Sequence, residues 1–118
     1  MIARSGILLC FVALTAAPAS VAKSDAAQLV VEKRCIACHD RSKTLIGPPY
    51  LAIAARHAAQ RELMIEVLAQ KIIVGGAGNW GVVPMVPNEH VSPEEARALS
   101  RWVLDQVKVE EDAWSGQR

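Results

Sequence analysis

Cys35-Ile36-Ala37-Cys38-His39 is where the chemistry of this chain begins. Two thiols three positions apart can each form a thioether with one porphyrin vinyl group. The histidine that follows is then carried beneath the iron as an axial nitrogen ligand. That spacing is the attachment signature of covalent c-type haem. The same five residues also admit a thioredoxin-like dithiol, half of a zinc site, or a chance spacing. Zinc would need a second pair of ligands, and the one other cysteine is Cys10. A thioredoxin-type pair would need strand–helix units around it, and the pattern along the chain offers none. Haem attachment is the reading the spacing favours.

An iron held by His39 needs a sixth ligand or an open site. Pro84-Met85-Val86-Pro87 places a thioether between two prolines, in a segment stiff enough to present it from one direction. Methionine sulfur is soft and neutral, so it favours ferrous iron and raises the reduction potential. Met64 sits among apolar neighbours in a helical pattern, as core methionines do. His57 and His90 are the nitrogen rivals, one at a helix end and one ahead of an N-cap. Met85 is the expected sixth ligand, with a histidine or an open iron as the alternatives.

The elements that must position these groups read as helices joined by loops, an all-α domain. Residues 1–22 read as a cleavable signal peptide, with Arg4, an apolar core over Ile7–Ala17 and small residues at Ser20-Val21-Ala22. That core is about 11 residues, short of the ~20 that cross a bilayer, with a retained N-terminal anchor as the alternative to cleavage. Export would leave residues 23–118 as one small domain, a size at which a protein core alone is marginal and a buried haem would help. Ser24 can cap a helix over Asp25 to about Arg34. Residues 40–49 form a loop, followed by helices over Tyr50–His57 and about Gln60–Val74, the latter with Leu63, Val67 and Met64, Leu68, Ile72 at helical spacing. A glycine- and proline-rich loop occupies 75–91. Ser92-Pro93-Glu94-Glu95 is a capping box opening a last helix to about Lys108, which would bury Ala96, Leu99, Trp102 and Val103. Residues 109–118 read as a flexible acidic and polar tail.

Charge is balanced over residues 23–118 but unevenly placed. Residues 23–61 hold seven Lys/Arg against three Asp/Glu, and 62–118 hold five against nine. No basic run is long enough to suggest nucleic acid. Lys33, Arg34, Arg41 and Lys43 flank the haem motif and read as a rim that could steer an acidic redox partner.

With these motifs in order, the chain resembles the short bacterial class I monohaem cytochromes c over nearly its whole length after residue 22. The resemblance rests on the haem motif, on Ile46-Gly47-Pro48-Pro49-Tyr50, and on Asn79-Trp80-Gly81-Val82-Val83-Pro84-Met85-Val86-Pro87-Asn88. Val91 to Gln106 looks like the closing helix of that family. The resemblance implies about four helices around one covalent haem c, with the first and last helices crossing. It implies that the Pro48 carbonyl accepts from the ligating imidazole, that Asn88 hydrogen-bonds the ligand sulfur, and that the Trp80 indole reaches a propionate. Lys71 stands where relatives often carry an arginine for that propionate, a point charge in place of a planar fork. The function implied is a monomeric periplasmic carrier of single electrons between respiratory redox partners, not an enzyme. A haem subunit fixed to a dehydrogenase or reductase, or an open-iron gas-binding or peroxidatic protein, are the alternatives.

Overall fold

The computed structural model describes residues 23–116, so the signal peptide read at 1–22 lies outside the described residues. Five helices follow one another: α1 Lys23–Glu32, α2 Tyr50–His57, α3 Arg61–Val74, α4 Pro93–Leu104 and α5 Gln106–Ser115. Short 3-10 turns cover Cys35–Ala37 and Ala58–Gln60. Among the described residues there is no strand, only an isolated antiparallel bridge between Gly76 and Met85. No described helix is long and apolar enough to cross a membrane.

α4 is the element on which the others pack, touching α1, α2 and α3. Its approach to the neighbouring helices is close because small residues line it: Ala96, Ala98 and Ser100 are buried. The Ser100 hydroxyl is satisfied by donating to Ala96 O at 2.8 Å. Leu29 and Val30 of α1, Tyr50, Ala69, Val91, Ala96 and Leu99 form the core, with Cys35, Ile72, Ile73, Trp102 and Val103 packed at its edge. The helix starts where its sequence says. Ser92 Oγ accepts from Glu95 N–H at 3.2 Å, and Glu95 Oε2 accepts from Ser92 N–H at 2.9 Å. Pro93 follows at the first helical position, where a missing N–H costs nothing.

Three features differ from the sequence pattern. In α3 the buried positions are Ile65 and Ala69, while Leu63 and Val67 face outward. The helix is apolar on most faces, so its spacing does not select which face turns inward. The last helix breaks at Asp105, whose carboxylate accepts from Arg61 Nε at 3.2 Å and Nη2 at 2.7 Å. Beyond the break the chain re-enters helix as α5, which touches α2 and runs through most of the segment read as a tail, with residues 111–116 exposed and 117–118 outside the described residues. Buried Gln106 supports this by donating to Trp102 O at 3.1 Å.

Candidate haem site

The cysteine side of the site is built by a reversal of the chain. α1 ends at Glu32, and Arg34 then takes a left-handed conformation (φ 60°, ψ 24°), the one described non-glycine residue to do so. The turn that follows carries Cys35 and Cys38, both free thiols and both partly exposed. Burial pushes the Cys35 thiol up, partly opposed by a backbone hydrogen bond. A thioredoxin-type pair needs a thiol shifted the other way. Among the described residues no group of three or more His, Cys, Asp or Glu is placed to hold a metal ion.

His39 is held on three sides. Its Nδ1 lies 2.8 Å from Pro48 O. A carbonyl only accepts, so Nδ1 carries the proton and Nε2 keeps its lone pair for a metal. Gly47 lies against the ring: a Cβ there would overlap Cε1 and stand 2.8 Å from Nδ1 and 2.9 Å from Nε2. Tyr50 stacks on the imidazole with centroids 5.6 Å apart and planes 21° apart, and is itself braced edge-on by Trp102 at 5.2 Å. Gly47 N–H donates to Cys38 O at 2.7 Å and Tyr50 N–H to Asp40 O at 3.0 Å, so the loop folds back on the motif. The Tyr50 hydroxyl is buried with no partner, and burial pushes its phenol up.

Met85 sits at the neck of the 75–88 loop. It exchanges both backbone hydrogen bonds with Gly76, at 2.9 and 3.0 Å. Gly75 makes this close approach possible: it has φ 68°, and a Cβ would overlap Met85 O and stand 2.8 Å from Pro87 N. Asn88 stitches the loop's exit to α3. Its Nδ2 donates to Ile72 O at 3.0 Å and Val86 O at 3.1 Å, and its N–H to Ile73 O at 3.1 Å. These bonds make Asn88 a fastening between the loop's exit and the end of α3. Trp80 is half exposed at the loop's tip, with the Arg56 guanidinium 4.7 Å over its ring. The Lys71 ammonium lies against Gly76, at the loop's entry.

Of the basic rim, Lys33 is already engaged. Its ammonium pairs with Glu95 Oε2 at 3.0 Å and donates to His90 O at 3.2 Å, which ties the end of α1 to the start of α4. Arg34 and Lys43 remain exposed. The sequence pattern did not single out Gly75, Arg56 or the Lys33–Glu95 pair, because each acts through a contact between distant segments.

Paired thiols on one turn, an imidazole with a free Nε2 and an orphaned phenol beside it fit a covalently held haem. Helices without strands around such a motif define a covalent-haem protein of the all-α class. The Cytochrome c family matches residues 24–106. Cytochrome c-551 of Allochromatium vinosum is 36% identical over 96 residues, 81% of this chain and 98% of that protein. Cytochrome c-551 of Pseudomonas aeruginosa is 45% identical over 78 residues, 66% of this chain and 73% of that protein. The crystal structure of wild-type Nitrosomonas europaea cytochrome c552 superposes with a TM-score of 0.65 at 40% identity, covering 68% of this chain and 98% of that one. The chain belongs to the cytochrome c family, as a small bacterial class I monohaem electron-transfer cytochrome with one haem c bonded through Cys35 and Cys38.

Proposed function

We propose that this protein is a monomeric periplasmic electron carrier, not an enzyme, with His39 and Met85 as the two axial ligands. The observation that carries the His39 assignment is the Nδ1–H···O hydrogen bond to Pro48, which leaves Nε2 to face a metal; Met85 rests on its place between two prolines in the loop sewn to α3. When bound, haem c supplies a one-electron couple. Cys35 and Cys38 anchor it, and His39 meets it in a ring orientation already fixed by Gly47, Pro48 and Tyr50. Met85 approaches from a loop sewn to α3, and its thioether raises the potential. A ring held on three sides and a loop backbone sewn in place limit the reorganisation that accompanies each electron, and no acid–base side chain is needed. Respiratory redox proteins fit as donor and acceptor. The signal peptide read at 1–22 supports export, which would bring the thiols to the compartment where haem is attached.

Absorption spectra of the purified protein in both oxidation states test this reading. The ferric form should show the weak far-red band of a methionine–iron bond, and Met85→Ala should abolish it and lower the potential. Loss of the band in Met64→Ala instead would move the site. Gel filtration of native protein should give a single small species, and co-elution with a dehydrogenase would contradict the free carrier.

A further inference from the structure

The loop between α3 and α4 has two separate fastenings. Its neck is sewn by backbone bonds: Gly76 with Met85, and Asn88 with Ile72 and Ile73. Its tip, Ala77 to Pro84, is exposed throughout and carries one internal bond, Gly78 N–H to Gly81 O at 2.9 Å. The tip also holds three open apolar side chains, Trp80, Val82 and Val83. Among the described residues one side chain makes a polar link from the body to this tip. Arg56 Nη1 donates to Asn79 O at 2.7 Å, and the same guanidinium lies 4.7 Å over the Trp80 ring.

Arg56 stands in the last turn of α2, the helix that begins at Tyr50, and Tyr50 is stacked on His39. We propose that Arg56 is a positioning residue for the methionine side of the site, clamping Trp80 and the loop tip so that the Met85 loop closes as one unit. A planar guanidinium can do both jobs at once, donating in its plane while its face rests on an indole. Without it the tip would swing on the Gly76–Met85 neck, exposing the methionine side to water and small ligands. The ligand-exchange part of this inference rests on Met85 being an axial ligand; the clamp itself does not.

The test uses the haem-loaded protein with Arg56→Gln, which removes charge and stacking, and Arg56→Lys, which keeps a cation over the ring. Imidazole serves as the probe, its entry to ferric iron followed by loss of the far-red band. Arg56→Gln should admit imidazole about fivefold faster, the loss expected for one exposed cation–π contact and one hydrogen bond, while the resting band stays. Arg56→Lys should recover part of the wild-type rate. Amide hydrogen exchange should quicken at Gly78, the tip amide that is hydrogen-bonded, and stay unchanged at Gly76 and Met85. An unchanged imidazole rate with unchanged exchange at the tip would overturn the clamp. So would faster exchange at tip and neck alike, since that is general loosening, or a lysine variant as fast as the glutamine one. A wild type lacking the far-red band would refute Met85 as ligand, and the exchange measurement would still decide on Arg56.

Discussion

The histidine side and the methionine side of this site are held in opposite ways. His39 is gripped at its side chain: a carbonyl fixes its proton, a tyrosine covers one face and a glycine lets the backbone lie against the ring. Met85 is gripped at its backbone, by the bridge to Gly76 and the bonds of Asn88, and no described hydrogen bond orients its sulfur. A small chain can thus hold one group by its side chain and another through its backbone. The histidine side lies within 16 residues of sequence, Cys35 to Tyr50, so little chain entropy is spent in assembling it. The methionine side must be brought back by α3 and a glycine-rich loop, so its stability depends on how well that loop is pinned.

Breaking the grip on each side should have unequal consequences. Gly47→Ala puts a methyl group into the His39 ring, which has Pro48 and Tyr50 behind it and nowhere to retreat. Most of the holoprotein should be lost, as measured by haem-stained yield and the low-spin spectrum. Gly78→Ala, with open space around its Cβ, should yield normally and cost about 1 kcal/mol through its positive φ. On the other side Gly75→Ala meets the Met85 carbonyl at a positive φ. Haem should stay covalently attached, but the far-red band should vanish, and stability to denaturant should fall by about 2–4 kcal/mol. If Gly75→Ala lost haem as readily as Gly47→Ala, the two sides would not be independent.

Asn88 sharpens the contrast further. Asn88→Ala leaves the carbonyls of Ile72 and Val86 without their donor, a cost of about 1–3 kcal/mol. If the amide serves only to fasten the loop, the far-red band should persist with a lowered melting temperature. A shifted band at unchanged stability would mean that the amide acts on the ligand after all. Arg34→Gly acts in the other direction. Relief of a left-handed arginine should add about 1 kcal/mol in chemical denaturation, less whatever glycine adds to the freedom of the unfolded chain.

How far the sequence foretold this differs between the two sides for a physical reason. Cys35, Cys38 and His39 are local, and their expected roles were read from residue type and spacing, whereas the part of the Pro48 carbonyl came from the family resemblance. The helices at Tyr50–His57 and the capping box at Ser92 were legible for the same reason. What acts across distance was not. Leu63 and Val67 share helical spacing with the core yet face out, because an all-round apolar helix hides its orientation. The bond from Asn88 to an α3 terminal carbonyl was not legible either, because it joins segments 16 positions apart. Lys33 reads as a docking charge until Glu95, 62 positions later, is seen to take it.

That last pair gives the smallest expected effect and the one that joins the two sides. Lys33 is two residues ahead of Cys35, and the His90 carbonyl and Glu95 it reaches lie just beyond the methionine loop. Glu95 has its carboxyl held below the ordinary range, first by the Ser92 N–H and then by Lys33. A depressed carboxylate contributes stability that is fully present above the unfolded value, near 4.5, and is lost as pH falls through the folded one. Lys33→Met should therefore cost about 1 kcal/mol at neutral pH, a few degrees of melting temperature in a domain this small. The gap between variant and wild type should begin to narrow below pH 4.5 and close as pH falls through the lower folded value, where Glu95 takes up its proton. Salt should narrow it too, though incompletely, since both side chains are largely shielded. If the pair couples the two sides, Lys33→Met should also loosen the methionine loop, and amide exchange at Met85 should quicken more than at Gly47. Equal quickening at both would leave Lys33 as an ordinary brace between α1 and α4. A gap in melting temperature that ignored pH would show that the His90 carbonyl, and not Glu95, is the partner that counts.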